Sequence, residues 1–193
     1  MAGFGSLASF FPGFLKRKKD LDPAPERFRR RFSETQLREP VDTLLRWLHD
    51  GDVPPPSSHA QAAVEALERR YAVRIPEDFR RYLLSAPRFE VTDDEMTAWW
   101  TIDRVRNLPD EYEHPIDHPG IAAETATYLF FADYMVWCWA WAICCSGGPN
   151  RGRIAFIGGP VGFVADSFAE FVERYLRDPR SMANSFPDTE AGS

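Results

Sequence analysis

The spacing of apolar residues between positions 60 and 84 predicts two short amphipathic helices. The first helix carries its apolar residues at the i, i+4, i+7 spacing of one helical face, at Ala60, Val64, Leu67 and Tyr71. Pro76 can open the second helix without the loss of a hydrogen bond. The apolar face of this second helix is formed by Phe79, Tyr82 and Leu83. A helix–corner–helix unit is therefore predicted here.

Later segments have the patterns of strands, at 97–102, 127–132, 135–145, 153–157 and 161–165. In segment 135–145, large residues of one parity (Trp137, Trp139, Trp141 and Ile143) alternate with small ones. This is typical of a central strand buried on both faces, although a buried helix fits the same pattern. Ser167 and Glu170 are spaced as a capping box for a last helix that runs to Arg177. We predict an α+β fold, with a mixed, largely antiparallel sheet and helices packed mainly on one side.

Composition divides the chain into three parts. Residues 1–57 are expected to form a basic, partly disordered extension, with one amphipathic helix at about 39–49 and a Pro-rich linker at 50–58. Residues 58–180 are expected to form the folded domain, and 181–193 a loose tail. Aromatic and basic residues within positions 1–31 fit either a weak membrane-surface contact or a disordered tail.

The net charge of −6 is unevenly distributed along the 193 residues. Residues 1–31 hold eight Lys/Arg and three Asp/Glu, or +5, whereas residues 32–193 hold fifteen and twenty-six, or −11. An acidic body disfavours direct nucleic-acid binding, because affinity for phosphates depends on cations. It favours a basic protein partner.

Candidate enzymatic and metal-binding residues are few. His114 and His118 have a metal-ligand spacing, but Pro115 and Pro119 disfavour the single helix that this spacing would need. The three cysteines, Cys138, Cys144 and Cys145, lie in an apolar run without an activating neighbour in sequence, so core packing is the favoured interpretation. We therefore expect no catalytic residue, no metal and no cofactor, and the free thiols favour a cytoplasmic location.

The segment from Glu90 to Asp117 is the strongest candidate binding region. It holds nine acidic residues against two arginines, for a net charge of −7, with three aromatic residues interleaved. An acidic rim around aromatic anchors would suit capture of a basic partner; the alternative is a solvated loop with at least one tryptophan in the core. The candidate partner-binding residues are Asp93, Asp94, Glu95, Trp99, Trp100, Asp110, Glu111, Tyr112 and Glu113.

Three motifs, which follow one another along the chain, resemble those of the SUKH superfamily. This superfamily includes fungal cell-wall synthesis regulators and many bacterial immunity proteins. The first joins Glu65, Leu67 and Glu68 to the run Ile75–Phe79 and to Tyr82–Leu84; the second is Phe130–Asp133; the third is Val164–Phe171. The resemblance covers roughly residues 59–177. The chain departs from the family pattern at Ala72, where glycine is usual, at Ser85–Pro87, and at Tyr134–Met135, which replaces another usual glycine.

The resemblance implies a SUKH-like fold and a non-enzymatic protein-binding function. The leading expectation is an immunity protein that binds a toxin, such as a basic nuclease, and occludes its active site with acidic side chains. The alternative is a regulatory or scaffold module of the cell-wall-regulator type, with residues 1–31 as a membrane or partner anchor.

Overall fold

Within residues 32–182, six strands form one antiparallel sheet in which each strand pairs with its neighbour in the chain. The computed structural model describes residues 32–182. The strands are β1 (Val91–Thr92), β2 (Thr97–Trp99), β3 (Tyr128–Tyr134), β4 (Trp139–Cys144), β5 (Ile154–Ile157) and β6 (Gly162–Ala165). The helices are α1 (Glu34–Leu37), α2 (Pro40–Leu48), α3 (Ser58–Tyr71), α4 (Glu77–Ser85), α5 (Leu108–Glu111), α6 (Pro119–Ala122) and α7 (Phe168–Arg177). The predicted α+β class is confirmed, and every strand pairing in the described part is antiparallel.

Each face of the sheet has its own hydrophobic core. On one face, helices α1–α4 and α7 pack their apolar stripes against strand residues such as Phe131 and Trp141. On the other face, the connection from β2 to β3, which contains α5 and α6, covers Phe130, Ala140 and Ala142. The longer helices therefore lie on one side, as the sequence predicts, and a mostly irregular segment closes the other side.

Helix α2 belongs to the folded unit. The predicted helix at 39–49 is present as Pro40–Leu48, and its residues Leu44 and Leu45 are 0% and 2% exposed in the main core. The predicted boundary at residue 57 therefore cuts through one packed core. Met182, assigned to the loose tail, is also fully buried. The predictions for residues 1–31 and 183–193 lie outside the described residues.

Alternate turns of an antiparallel meander lie at the same end of the sheet. The turns 93–96, 135–138 and 158–161 therefore share one end, which we call the hairpin end. Gly158, with φ of +106°, brings the third turn against the second, because a Cβ there would lie 2.9 Å from the Cα of Trp139. No helix in residues 32–182 is long and apolar enough to cross a membrane.

The corner after α3 is left-handed at Ala72. Its φ and ψ are 52° and 42°, and the Val73 N–H donates to the Glu68 carbonyl at 3.1 Å, as in a Schellman motif. A residue with a Cβ is strained in this region, whereas glycine is not. Ala72 thus occupies a conformation in which glycine is the better residue.

Ala72→Gly should raise the free energy of unfolding by about 0.5–1 kcal/mol, because it relieves the strain of the left-handed conformation. Ala62→Gly, at an exposed interior position of α3, should instead lower it by about 1 kcal/mol. Urea unfolding followed by circular dichroism measures both changes. A loss of stability in Ala72→Gly would show that the corner is not left-handed in solution.

Candidate functional site

The two tryptophans predicted as partner anchors are both inside the protein. Trp99 and Trp100 are 1% and 0% exposed, and they belong to the cores on opposite faces of the sheet. Each indole N–H donates to a carboxylate, Trp99 to Asp93 at 3.0 Å and Trp100 to Asp133 at 2.7 Å. The prediction that these rings contact a partner is therefore wrong for this structure.

Asp93 organises the β1–β2 hairpin from within. Its Oδ1 accepts from the backbone N–H groups of Glu95 and Thr97, at 2.9 and 3.0 Å. Its Oδ2 accepts from the Tyr175 hydroxyl of α7 at 2.5 Å, beside the Trp99 indole. Burial, and then the charge of Asp93, raise the pKa of Tyr175 well above its usual value, which keeps that hydroxyl protonated. The Asp93 carboxylate is thus used within the fold, contrary to its predicted partner-binding role.

Asp110, Glu111 and Glu113, which are also predicted to bind a partner, have different surroundings in the structure. Asp110 Oδ2 accepts from Arg70 Nη2 at 3.1 Å and from the Tyr71 hydroxyl at 2.9 Å, beside the C-terminus of α3. Glu111 Oε1 accepts from the Trp137 indole at 3.2 Å. Tyr112 stacks on the same indole, with ring centroids 6.1 Å apart and planes at 11°. Glu113 is exposed next to them.

The β3–β4 turn is a single left-handed turn without glycine. Met135, Val136 and Trp137 have φ values of 46°, 54° and 69°, and the Cys138 N–H donates to the Tyr134 carbonyl at 2.9 Å. The predicted strand 135–145 therefore begins only at Trp139. The turn also carries Trp137 to the face opposite Trp139, where it lies 5.0 Å from Phe130. Each left-handed residue of this kind costs about 1–3 kcal/mol, so the surrounding structure must hold the turn.

The buried carboxylate of Asp133 supplies that support. Asp133 is 1% exposed, and its Oδ1 accepts from the Trp137 backbone N–H at 2.9 Å. Its Oδ2 accepts from Arg104 Nη2 at 3.1 Å as well as from the Trp100 indole. Arg104 in turn lies 4.1 Å over the Trp100 ring and pairs with Glu90. The Asp133 carboxylate, the Arg104 guanidinium and the Trp100 indole therefore form the buried network that supports the left-handed turn.

Three exposed apolar side chains lie at the hairpin end, in the turns next to this network. The Met135 N–H donates to the Met96 carbonyl at 3.0 Å, which joins the first two turns of the hairpin end. Met96, Met135 and Val136 are 50%, 43% and 95% exposed. Asp94 is exposed and Glu95 half-buried in the same β1–β2 turn as Met96. We call Asp94, Glu95, Met96, Met135 and Val136 the tip surface.

Sequence reasoning missed the apolar half of the tip surface. The sequence predicts that Met135 and Val136 belong to a buried strand, because their residue types continue the apolar run of β4. The one available signal is the departure at Tyr134–Met135 from the pattern of the SUKH superfamily, which the chain resembles and in which a glycine is usual there. A left-handed position without glycine is a structural anomaly that sequence periodicity does not register.

The candidate histidines and cysteines lie in separate surroundings. His114 is exposed against Tyr112, and His118 packs on Phe163 before α6 begins, so they share no helix. Cys144 and Cys145 are buried, and burial raises the pKa of the Cys145 thiol. Among residues 32–182, no group of three His, Cys, Asp or Glu side chains is placed to hold a metal ion.

Comparison with known proteins assigns no family, since no protein-family model matches the chain and no curated protein matches it significantly.

Asp133→Asn should lower the free energy of unfolding by about 2–4 kcal/mol, because it leaves Arg104 without its buried counter-charge and an N–H donor without an acceptor. Asp166→Asn is the matched control. Its carboxylate pairs with Arg153 but is 80% exposed, so the loss should stay within about 0.5 kcal/mol. Urea unfolding measures both changes. Equal losses in the two variants would show that Asp133 does not support the turn.

Proposed function

We propose that this chain is a non-enzymatic protein-binding domain that captures a basic partner. The carrying observation is the placement of the acids in the segment 90–117. Six of the nine acids are exposed, namely Glu90, Asp94, Asp103, Asp110, Glu113 and Asp117. Two of these six acids are paired with a cation, Glu90 with Arg104 and Asp110 with Arg70, whereas Arg106 donates to the backbone carbonyls of Asp103 and Val105. A surface with this excess of negative charge attracts cationic proteins.

The partner that we propose is a toxin domain, and the chain is its immunity protein. This step rests on the resemblance of residues 59–177 to the SUKH superfamily. A basic nuclease would suit the acidic surface, because carboxylates can occupy the positions of substrate phosphates. In this proposal the chain acts in the cytoplasm, does not bind nucleic acid directly and needs no cofactor.

The immunity function predicts protection of cells. The toxin domain encoded beside the gene for this chain should kill a sensitive host when expressed alone and should be tolerated when the two are co-expressed. A stable complex of the two proteins should then be recovered by size-exclusion chromatography. A gene without a toxin neighbour, or a neighbour that kills equally in the presence of the chain, would contradict the proposal.

Charge reversal at two exposed acids should slow association with that toxin. We expect Asp94→Lys combined with Glu113→Lys to lower the association rate constant at least about tenfold at low salt, and much less at 0.5 M salt, where exposed charges are screened. Stopped-flow or surface-plasmon-resonance measurements at several salt concentrations follow the change.

The matched control makes the same change in net charge away from the hairpin end. Asp52 lies in the linker between α2 and α3, and Asp166 follows β6 at the opposite end of the sheet. Asp52→Lys combined with Asp166→Lys should alter the rate by no more than about threefold, as expected for charges distant from the contact. Equal effects of the two double variants would mean that net charge alone, and not the location of the acids, steers the partner.

A further inference from the structure

The exposed apolar side chains of the tip surface are a second feature of the proposed interaction. Attraction between charges does not explain why these side chains are exposed. Val136 is 95% exposed, so its side chain gives almost nothing to the core. It is also β-branched and left-handed, a combination that is a genuine outlier in backbone conformation. Asparagine or glycine would suit the same backbone better. The fold thus bears strain at this position and gains no burial in return.

The strained left-handed residues are concentrated at the hairpin end. Residues 32–182 contain six non-glycine residues with positive φ, and four of them lie in two turns of the hairpin end: Met96, Met135, Val136 and Trp137. Backbone strain of this kind persists where the surrounding structure determines it, and it clusters at functional sites. Three of these four side chains are the exposed apolar residues of the tip surface.

We propose that the tip surface is the point at which the partner docks, with Val136 and Met135 entering an apolar socket on a basic protein. The partner is expected to be basic because acidic residues lie next to the exposed apolar side chains. Asp94 and Glu95 flank Met96 on one side, and Glu111 is joined to the same left-handed turn through Trp137 on the other. An apolar centre with an acidic rim is complementary to an apolar socket with a basic rim. This inference rests on the proposed function and identifies the part of the surface that carries the affinity.

The tip is held before binding, which lowers the entropy that association must overcome. Asp133 fixes the Trp137 N–H from inside, and Tyr112 stacks on the Trp137 ring. Gly158 allows the β5–β6 turn to approach the carbonyl of Cys138, since a Cβ at this glycine would lie 3.2 Å from that oxygen. Trp137 therefore packs within the protein, and Val136 and Met135 are the residues of this turn left to contact the partner.

The test uses the full chain, labelled at its own cysteine. Of the three cysteines only Cys138 is exposed, so benzophenone-maleimide attaches next to the tip and leaves Val136 unchanged. The labelled chain is irradiated in lysate of the cells that produce it, the adduct is identified by mass spectrometry, and the partner is then purified. Its dissociation constant is measured with the unlabelled chain, with Val136→Asn and with Phe89→Asn. Phe89 is the matched control, because it is 82% exposed but precedes β1 at the end of the sheet opposite the hairpin end.

We expect an adduct with a basic protein whose binding weakens at least about tenfold in Val136→Asn and less than about twofold in Phe89→Asn. Val136→Asn should keep or raise the urea midpoint of the unsubstituted chain, because asparagine tolerates the left-handed region better than valine, so lost binding would not reflect unfolding. Equal binding by the two variants, no adduct at Cys138, or an adduct only with a second copy of this chain would overturn the docking proposal.

The outcomes separate this inference from the proposed function. Protection by the unsubstituted chain, together with an affinity for the neighbouring toxin that is unchanged in Val136→Asn, would overturn tip docking and leave immunity standing. A basic partner that requires Val136 but is not a toxin would support tip docking and overturn immunity.

Discussion

The buried carboxylate of Asp133 is the interaction on which the hairpin end depends. An ionised group this deeply buried is tolerated only when it is paired and hydrogen-bonded, and both conditions are met by residues from separate segments. Trp100 follows β2, Arg104 lies in the connection to β3, and Trp137 lies in the β3–β4 turn. The carboxylate therefore links these parts of the chain, which also meet at the Trp100 ring, since that ring contacts both Arg104 and the Trp137 indole. Its removal would leave Arg104 without its buried partner and the left-handed turn without its internal acceptor.

A second carboxylate plays the matching role on the other face of the sheet. Asp93 accepts from the Trp99 indole and from the Tyr175 hydroxyl, and so ties the first hairpin to α7. Adjacent residues in a strand point to opposite faces, so Trp99 and Trp100 each reach a different acid and a different core. The pair Trp99–Trp100 thus connects two internal carboxylates across the sheet. This pair of tryptophans stabilises the hairpin end from the interior and is not part of the tip surface.

Local pattern was sufficient to predict most helices and strands, because their signals lie within a few residues. Ser167 accepts from the Glu170 N–H at 3.0 Å, as predicted for the start of α7, although the Glu170 carboxylate reaches back to Asp166 instead of completing the box at Ser167. Helix α2 was likewise predicted from its apolar stripe. Its place in the core was not, because the contact of α2 with α7 joins residues more than a hundred positions apart.

The candidate site shows where such reasoning stops. Asp93 and Asp94 are adjacent and chemically identical in sequence, yet one is an internal acceptor and the other is exposed. The distinction depends on Tyr175, 82 positions away in the chain. The left-handed turn was hidden for a related reason, since Met135, Val136 and Trp137 continue an apolar run that predicts a strand. Only the distant donors Trp100 and Arg104 complete the arrangement that holds these residues in another conformation.

Charge and apolar contact would have separate kinetic roles at this end of the molecule. Exposed acids such as Asp94 act over a distance and are screened by salt, so they chiefly affect the rate of encounter. Val136 acts only after contact, so its loss would appear mainly as faster dissociation. Because Asp133 keeps the turn in place beforehand, little ordering would remain for the bound state, and the apolar contact could be used almost fully for affinity. An acidic rim around an apolar tip that is held in place would therefore suit the proposed function, in which a basic protein is captured rapidly and released slowly.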